Sequence, residues 1–95
     1  MSDEIRHDAD GHRYVLLRDG HEIGQALYEF GERGEINFIH TVIDSDQQEH
    51  GLGSRLIAGA LDDVRATSRA RVVATCPFVF KFISEHPEYQ DLTKR

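Results

Sequence analysis

The hydrophobic rhythm of the chain changes once, near its middle. Residues 12–18 (HRYVLLR) and 21–30 (HEIGQALYEF) are rich in β-formers. Between them stands Asp19-Gly20, a dipeptide suited to a two-residue hairpin. Residues 31–34 (GERG) read as a second turn and residues 35–43 (EINFIHTVI) as a third strand. Side chains alternate along a strand with a period of two, so Ile36, Phe38, His40 and Val42 are expected on one face. The pattern predicts an antiparallel meander.

Beyond it the period lengthens. Leu52, Leu56, Ile57, Ala60, Leu61 and Val64 form one stripe of a 3.6-residue repeat, which predicts a helix over 51–68. A short strand follows at 71–75 (RVVAT). Cys76-Pro77 then opens a second helix that ends near His86, ahead of Pro87. Proline suits the first helical position because its missing N–H has no partner there in any case. Phe78 pairs with Phe82, and Val79 with Ile83, at i and i+4. The order is βββ-α-β-α, an α/β fold in a single domain spanning 1–95. The last strand is expected beside the third through a right-handed crossover.

Composition narrows the function. Net charge is −6 with histidines neutral, so a basic nucleic-acid footprint is absent. No apolar run approaches the roughly 18 residues that span a membrane. The acidic start, Ser2-Asp3-Glu4, does not read as a secretory leader. Cys76 is the one cysteine, which excludes an internal disulfide and fits a reducing cytoplasm. The six histidines show no H-x-x-x-H spacing and no C-x-x-C occurs, so no metal site is expected.

Gly51 and Gly53 stand at the mouth of the long helix, where glycine costs about 0.8–1 kcal/mol relative to alanine in a helix interior. Two readings stand. The glycines serve a tight strand-to-helix turn, or they let an anion approach the unpaired N–H groups of the first turn. In the second reading Ser54 adds a hydroxyl donor, and His50 or Arg55 a nearby positive charge.

The wider motif is more specific. Gln48-Glu49-His50-Gly51-Leu52-Gly53 matches Q/R-x-x-G-x-G/A, and so resembles the pyrophosphate loop of GNAT-type N-acetyltransferases. Cys76-Pro77-Phe78-Val79 with His86-Pro87-Glu88-Tyr89 and Asp91-Leu92, together with His40-Thr41, is similar to the small single-domain members of that superfamily. The resemblance runs from Arg13 to Leu92. It implies a minimal GNAT-like fold, with the meander followed by α-β-α and a splayed strand pair that receives acetyl-CoA. Thr41 and Val42 would pair with the pantetheine arm. Gln48, Glu49, His50, Gly51, Leu52, Gly53 and Ser54 would take the pyrophosphate. Full-length members carry two helices between their first two strands. Here Asp19-Gly20 is expected to join those strands directly, which leaves the acceptor side open.

Several side chains are candidates for chemistry. Cys76, at a helix N-cap, is a nucleophile able to carry the acetyl group, or else a small buried hydrophobe. His40 is a general base for the acceptor or for Cys76, or else a core residue. Phe80 and Lys81 could border the coenzyme A arm or its adenine end, while Phe78 and Phe82 read as core. His86 is expected to cap carbonyls at its helix end, and Tyr89 to anchor the core or, as the resemblance implies, to donate a proton to the leaving coenzyme A thiolate. The function implied is an acetyl-CoA-dependent N-acetyltransferase with a protein or peptide amine as acceptor. The alternative is a non-catalytic module that binds coenzyme A and regulates a partner. No nucleic-acid or membrane partner is expected.

Overall fold

A computed structural model describes residues 2–47 and 51–95. Five strands form one sheet in sequence order: β1 (Asp3–Asp8), β2 (Arg13–Arg18), β3 (His21–Phe30), β4 (Ile36–Ile43) and β5 (Val72–Ala74). The first four are antiparallel neighbours, and β5 pairs parallel with β4. Helix α1 (Leu52–Thr67) connects β4 to β5, and α2 (Pro77–Glu85) follows. A 3₁₀ segment over Pro87–Lys94 closes the chain.

The meander follows from its turns. Asp19 and Gly20 both take positive φ, 50° and 85°, as a type I′ hairpin requires. The backbone N–H of Ser2 donates to the Asp19 carboxylate at 2.8 Å, so the same turn also holds the chain's start. All six stripe residues of α1 are buried. They pack on Tyr14, Leu16, Ala26, Tyr28 and Phe38 from the sheet and on Val79, Phe82, Ile83, Tyr89 and Leu92 from the C-terminal segment. Tyr89 donates a 2.8 Å hydrogen bond to Asp62 of α1; burial, aided by that carboxylate, pushes its hydroxyl up to about 12. Tyr89 is thus a core anchor. His86 stacks on Phe82 and its Nδ1 lies 2.6 Å from the Phe82 carbonyl, which is the capping role expected of it.

Two elements are additional to the expected order. The 3₁₀ segment is one. The other is β1, which shows little hydrophobic alternation because Ile5 is its only aliphatic residue. Its inward side chains meet charged and small residues of α1, and only Ile5 adds an aliphatic side chain to the core. With β1 present, Asp19-Gly20 joins the second and third strands. The first two strands are joined by a short turn over 9–12, in which Asp8 accepts the Gly11 N–H and His12 takes φ 51°. The direct connection inferred from the sequence therefore exists, one hairpin earlier than expected.

Two outcomes follow. Leu61→Ala, at a fully buried position, should cost about 2–5 kcal/mol in denaturant unfolding. Acid should also weaken the fold. Arg18, Arg13 and Arg65 hold the carboxyls of Asp3, Asp8 and Asp91 below the usual carboxylate range. A carboxyl depressed in the folded state stabilises the fold fully above its unfolded value, about 3.9, and that contribution is lost as pH falls through the folded value. Thermal melts from pH 6 to 3 should show a falling Tm, with a shallower slope in Asp91→Asn.

Candidate active site

The site is organised by the end of the parallel ladder. β4 and β5 pair only at Ile36–Val72, Asn37–Val73 and Phe38–Ala74. The N–H groups of Thr75 and Cys76 then both donate to the Phe38 carbonyl, at 3.1 and 2.9 Å. After this the chain turns into α2 at Pro77, while β4 continues to Ile43. Among the described residues, no strand therefore lies beside the β4 edge over 39–43 on the β5 side.

A β-bulge sits at the same place. β3 and β4 shift register between Leu27 and Tyr28, so that Tyr28 opposes Phe38, Leu27 opposes His40, and Ile39 is the extra residue. An extra residue reverses the facing of everything after it. The expectation that His40 and Val42 share a face with Ile36 and Phe38 is thereby corrected. Thr41, opposite buried Ala26, continues the core face. His40 and Val42 lie on the other face and are exposed. The proposed pairing of His40 with Cys76 fails for the same reason, because Cys76 lies on the Thr41 side. The Cys76 sulfur is 3.5 Å from Thr41 Oγ1, and the residue is only 5% exposed, within the core cluster at the N-cap of α2.

The glycines prove to have separate reasons. Gly51 caps α1 with φ 90°, a left-handed conformation that glycine adopts without strain. Gly53 faces α2, and a Cβ there would lie 2.7 Å from the Phe78 ring. Phe78 is accordingly half-exposed and packs against this turn, where the sequence reading put it in the core. Among the described residues no side chain caps α1, and no acidic residue stands in its first turn. Its first intrahelical bond is Arg55 N–H to the Gly51 carbonyl, so the N–H groups of Leu52, Gly53 and Ser54 precede the ladder. Gln48, Glu49 and His50 lie outside the described residues.

Ser54, Phe78, Lys81, Phe82 and Glu85 line a pocket of 290 Å³ at this turn, which brings two of the expected residues, Ser54 and Lys81, together. Phe80 is not among them. It is 65% exposed and borders a larger cavity of 460 Å³ with Val72, Ala74, Ile83 and Lys94 on the β5 side. Ile39, Val42, Phe78 and Phe80 are four of the five exposed large hydrophobics among the described residues, and they come from β4 beyond the parting and from α2. Ile39 and Phe78 escaped sequence reasoning, since neither a bulge nor a ring set against a glycine has a local signature. Among the described residues no group of three or more histidine, cysteine or carboxylate side chains could hold a metal.

Comparison with known proteins agrees with this arrangement. The model of GCN5-related N-acetyltransferases matches residues 13–92. Protein NATD1 of Bos taurus is 26% identical over 91 residues, covering 95% of this chain and 80% of that protein. The solution structure of a GCN5-like protein from Staphylococcus aureus superposes with a TM-score of 0.71 at 22% identity, over 97% of this chain and 89% of the other. The ribosomal-protein-alanine N-acetyltransferase of Brucella melitensis biovar Abortus 2308 shares the fold at a TM-score of 0.59 and 18% identity. There the match covers 78% of this chain but 59% of the larger one. With strands that part beside an uncapped helix N-terminus and a family match spanning most of its length, the chain belongs to the GCN5-related N-acetyltransferases.

Proposed function

We propose that this protein transfers the acetyl group of acetyl-CoA to an amine of a protein or peptide. The observation that carries the reading is the parting of β4 and β5 beside the uncapped first turn of α1. An unpaired strand edge suits an extended arm bearing amide groups, and the pantetheine arm would pair along β4 at Thr41 and Val42. Exposed N–H groups at a helix N-terminus suit a pyrophosphate. Leu52, Gly53 and Ser54 supply them, and the Lys81 ammonium shares a pocket with Ser54. The short β1–β2 turn leaves the acceptor side open to a polypeptide.

Chemistry at the parting has two steps in this reading. The Cys76 thiolate attacks the thioester carbonyl and the coenzyme A sulfur leaves as thiolate. The amine then attacks the new thioester and restores the cysteine sulfur. The N-cap position of Cys76 and its contact with Thr41 support this relay. An attacking amine must lose a proton; where it attacks acetyl-CoA directly, His40, exposed on the face of β4 opposite Cys76, is the base on the acceptor side.

Ser54→Glu separates the helix from the ligand. A carboxylate in the first turn favours the helix by roughly 0.3–1 kcal/mol, yet repels a pyrophosphate. Unfolding should show equal or greater stability, while calorimetric titration shows coenzyme A binding weakened by about tenfold or more. Unchanged affinity removes the phosphates from this turn.

Cys76 is tested by intact mass after exposure to acetyl-CoA. One added acetyl group is expected on the wild type and none on Cys76→Ala, with coenzyme A affinity retained. Iodoacetamide labelling that is slow and indifferent to coenzyme A sinks the relay and leaves direct attack by the amine.

A further inference from the structure

Strand β1 touches α1 at three evenly spaced points. Asp3 pairs with Arg55. Ile5 lies against Gly59, where a Cβ would come within 2.3 Å of its δ-methyl. His7 Nδ1 lies 3.6 Å from the Asp63 carboxylate. The strand advances two residues per contact and the helix four. Those steps are about 6.7 Å and about 6.0 Å, so the two ladders stay nearly in phase over all three contacts. Gly59 permits the close approach between the two charged ends.

The Asp3 end is held hardest. Arg18 of β2 grips both carboxylate oxygens, Nε to Oδ1 at 2.8 Å and NH2 to Oδ2 at 2.9 Å, and is only 9% exposed. The same guanidinium donates from NH1 to the Gln47 side chain at 3.3 Å. Gln47 precedes α1 in the chain, and Arg55 lies in its first turn. The Asp3–Arg18 pair thus touches the chain ahead of the helix and, through Arg55, the first turn itself.

We propose that Asp3, fixed by Arg18, is a positioning residue for the anion-binding turn of α1, and that β1 sets where that turn stands along the sheet through its contacts at Arg55, Gly59 and Asp63. The inference rests on the reading that this turn receives the coenzyme A phosphates. It assigns a role to an element whose inward face adds only Ile5 and the His7 ring to the edge of the core. Breaking the tie displaces the turn, and the ligand groups that depend on it are the phosphates.

The test compares two acetyl donors, acetyl-CoA and the phosphate-free S-acetylpantetheine. In Asp3→Ala the KM for acetyl-CoA should rise on the order of tenfold while that for S-acetylpantetheine stays unchanged, and Asp3→Glu should recover part of the loss. A merely structural Asp3 lowers stability and moves both donors alike, or neither. An Asp3 that only competes with phosphate for Arg55 gives the opposite sign, tighter acetyl-CoA on its removal. Either result overturns the proposal. A second pair of variants needs neither turnover nor an intact Asp3. Gly59→Val should shift the backbone amide resonances of Leu52 to Arg55, and Ile5→Ala added to it should return them toward wild-type positions. Resonances that do not move, or that move without being restored, overturn the inference with no ligand present. A wild type that handles both donors equally, while the resonances behave as expected, counts against the phosphate reading and leaves the strand's mechanical role standing.

Discussion

The carbonyl of Phe38 is the point on which the rest of the arrangement depends. It accepts from two successive N–H groups, Thr75 and Cys76, and so ends the parallel ladder after three residue pairs. A backbone that spends its donors this way has none to continue the sheet, and Pro77 immediately afterwards cannot supply another. β5 becomes α2, β4 goes on alone, and the sheet opens. The bulge at Ile39 lies at the same level, so the opening and the change of facing coincide. The outcome is an edge of main-chain polar groups flanked by apolar side chains, next to the positive end of a helix.

Charge near that opening is mixed. The protein is acidic overall; the first turn of α1 carries no carboxylate, and Lys81 and Glu85 share the pocket of Ser54. Several acidic side chains are engaged in ion pairs. Asp3 serves Arg18 and Arg55, Asp8 and Glu22 serve Arg13, and Asp91 serves Arg65. Asp63 receives the Tyr14 hydroxyl at 2.6 Å, and burial together with that carboxylate raises the tyrosine well above its ordinary range.

Most of the fold is legible in the sequence because its elements obey one period each. β3 is bounded by two glycine turns, and α1 shows its full stripe. β1 is not legible, since a strand that faces charges shows no hydrophobic alternation. The face reversal in β4 is hidden because a bulge depends on how two strands align and leaves no mark in either one alone. His40 and Val42 are misplaced for that reason, while Thr41, one residue between them, emerges as the inward neighbour of Cys76. The glycine pair is legible as a motif but not as a pair of causes. A positive φ at Gly51 and a ring against Gly53 become distinct only when α2 is in place.

The spatial order of the strands repeats their order along the chain. Four of the five are joined by short turns, so their pairing closes small loops and costs little chain entropy. Only the β4–β5 pairing must wait for a whole helix to form and fold back across the sheet. Contacts between such distant segments form late as a rule, because the entropy of closure precedes their reward. The opening at Phe38 belongs to that last closure. During synthesis the meander can settle while the C-terminal segment is still emerging, and the cleft comes into being only when the final third of the protein has docked. A protein assembled in this sequence opens its sheet last, on a framework already in place.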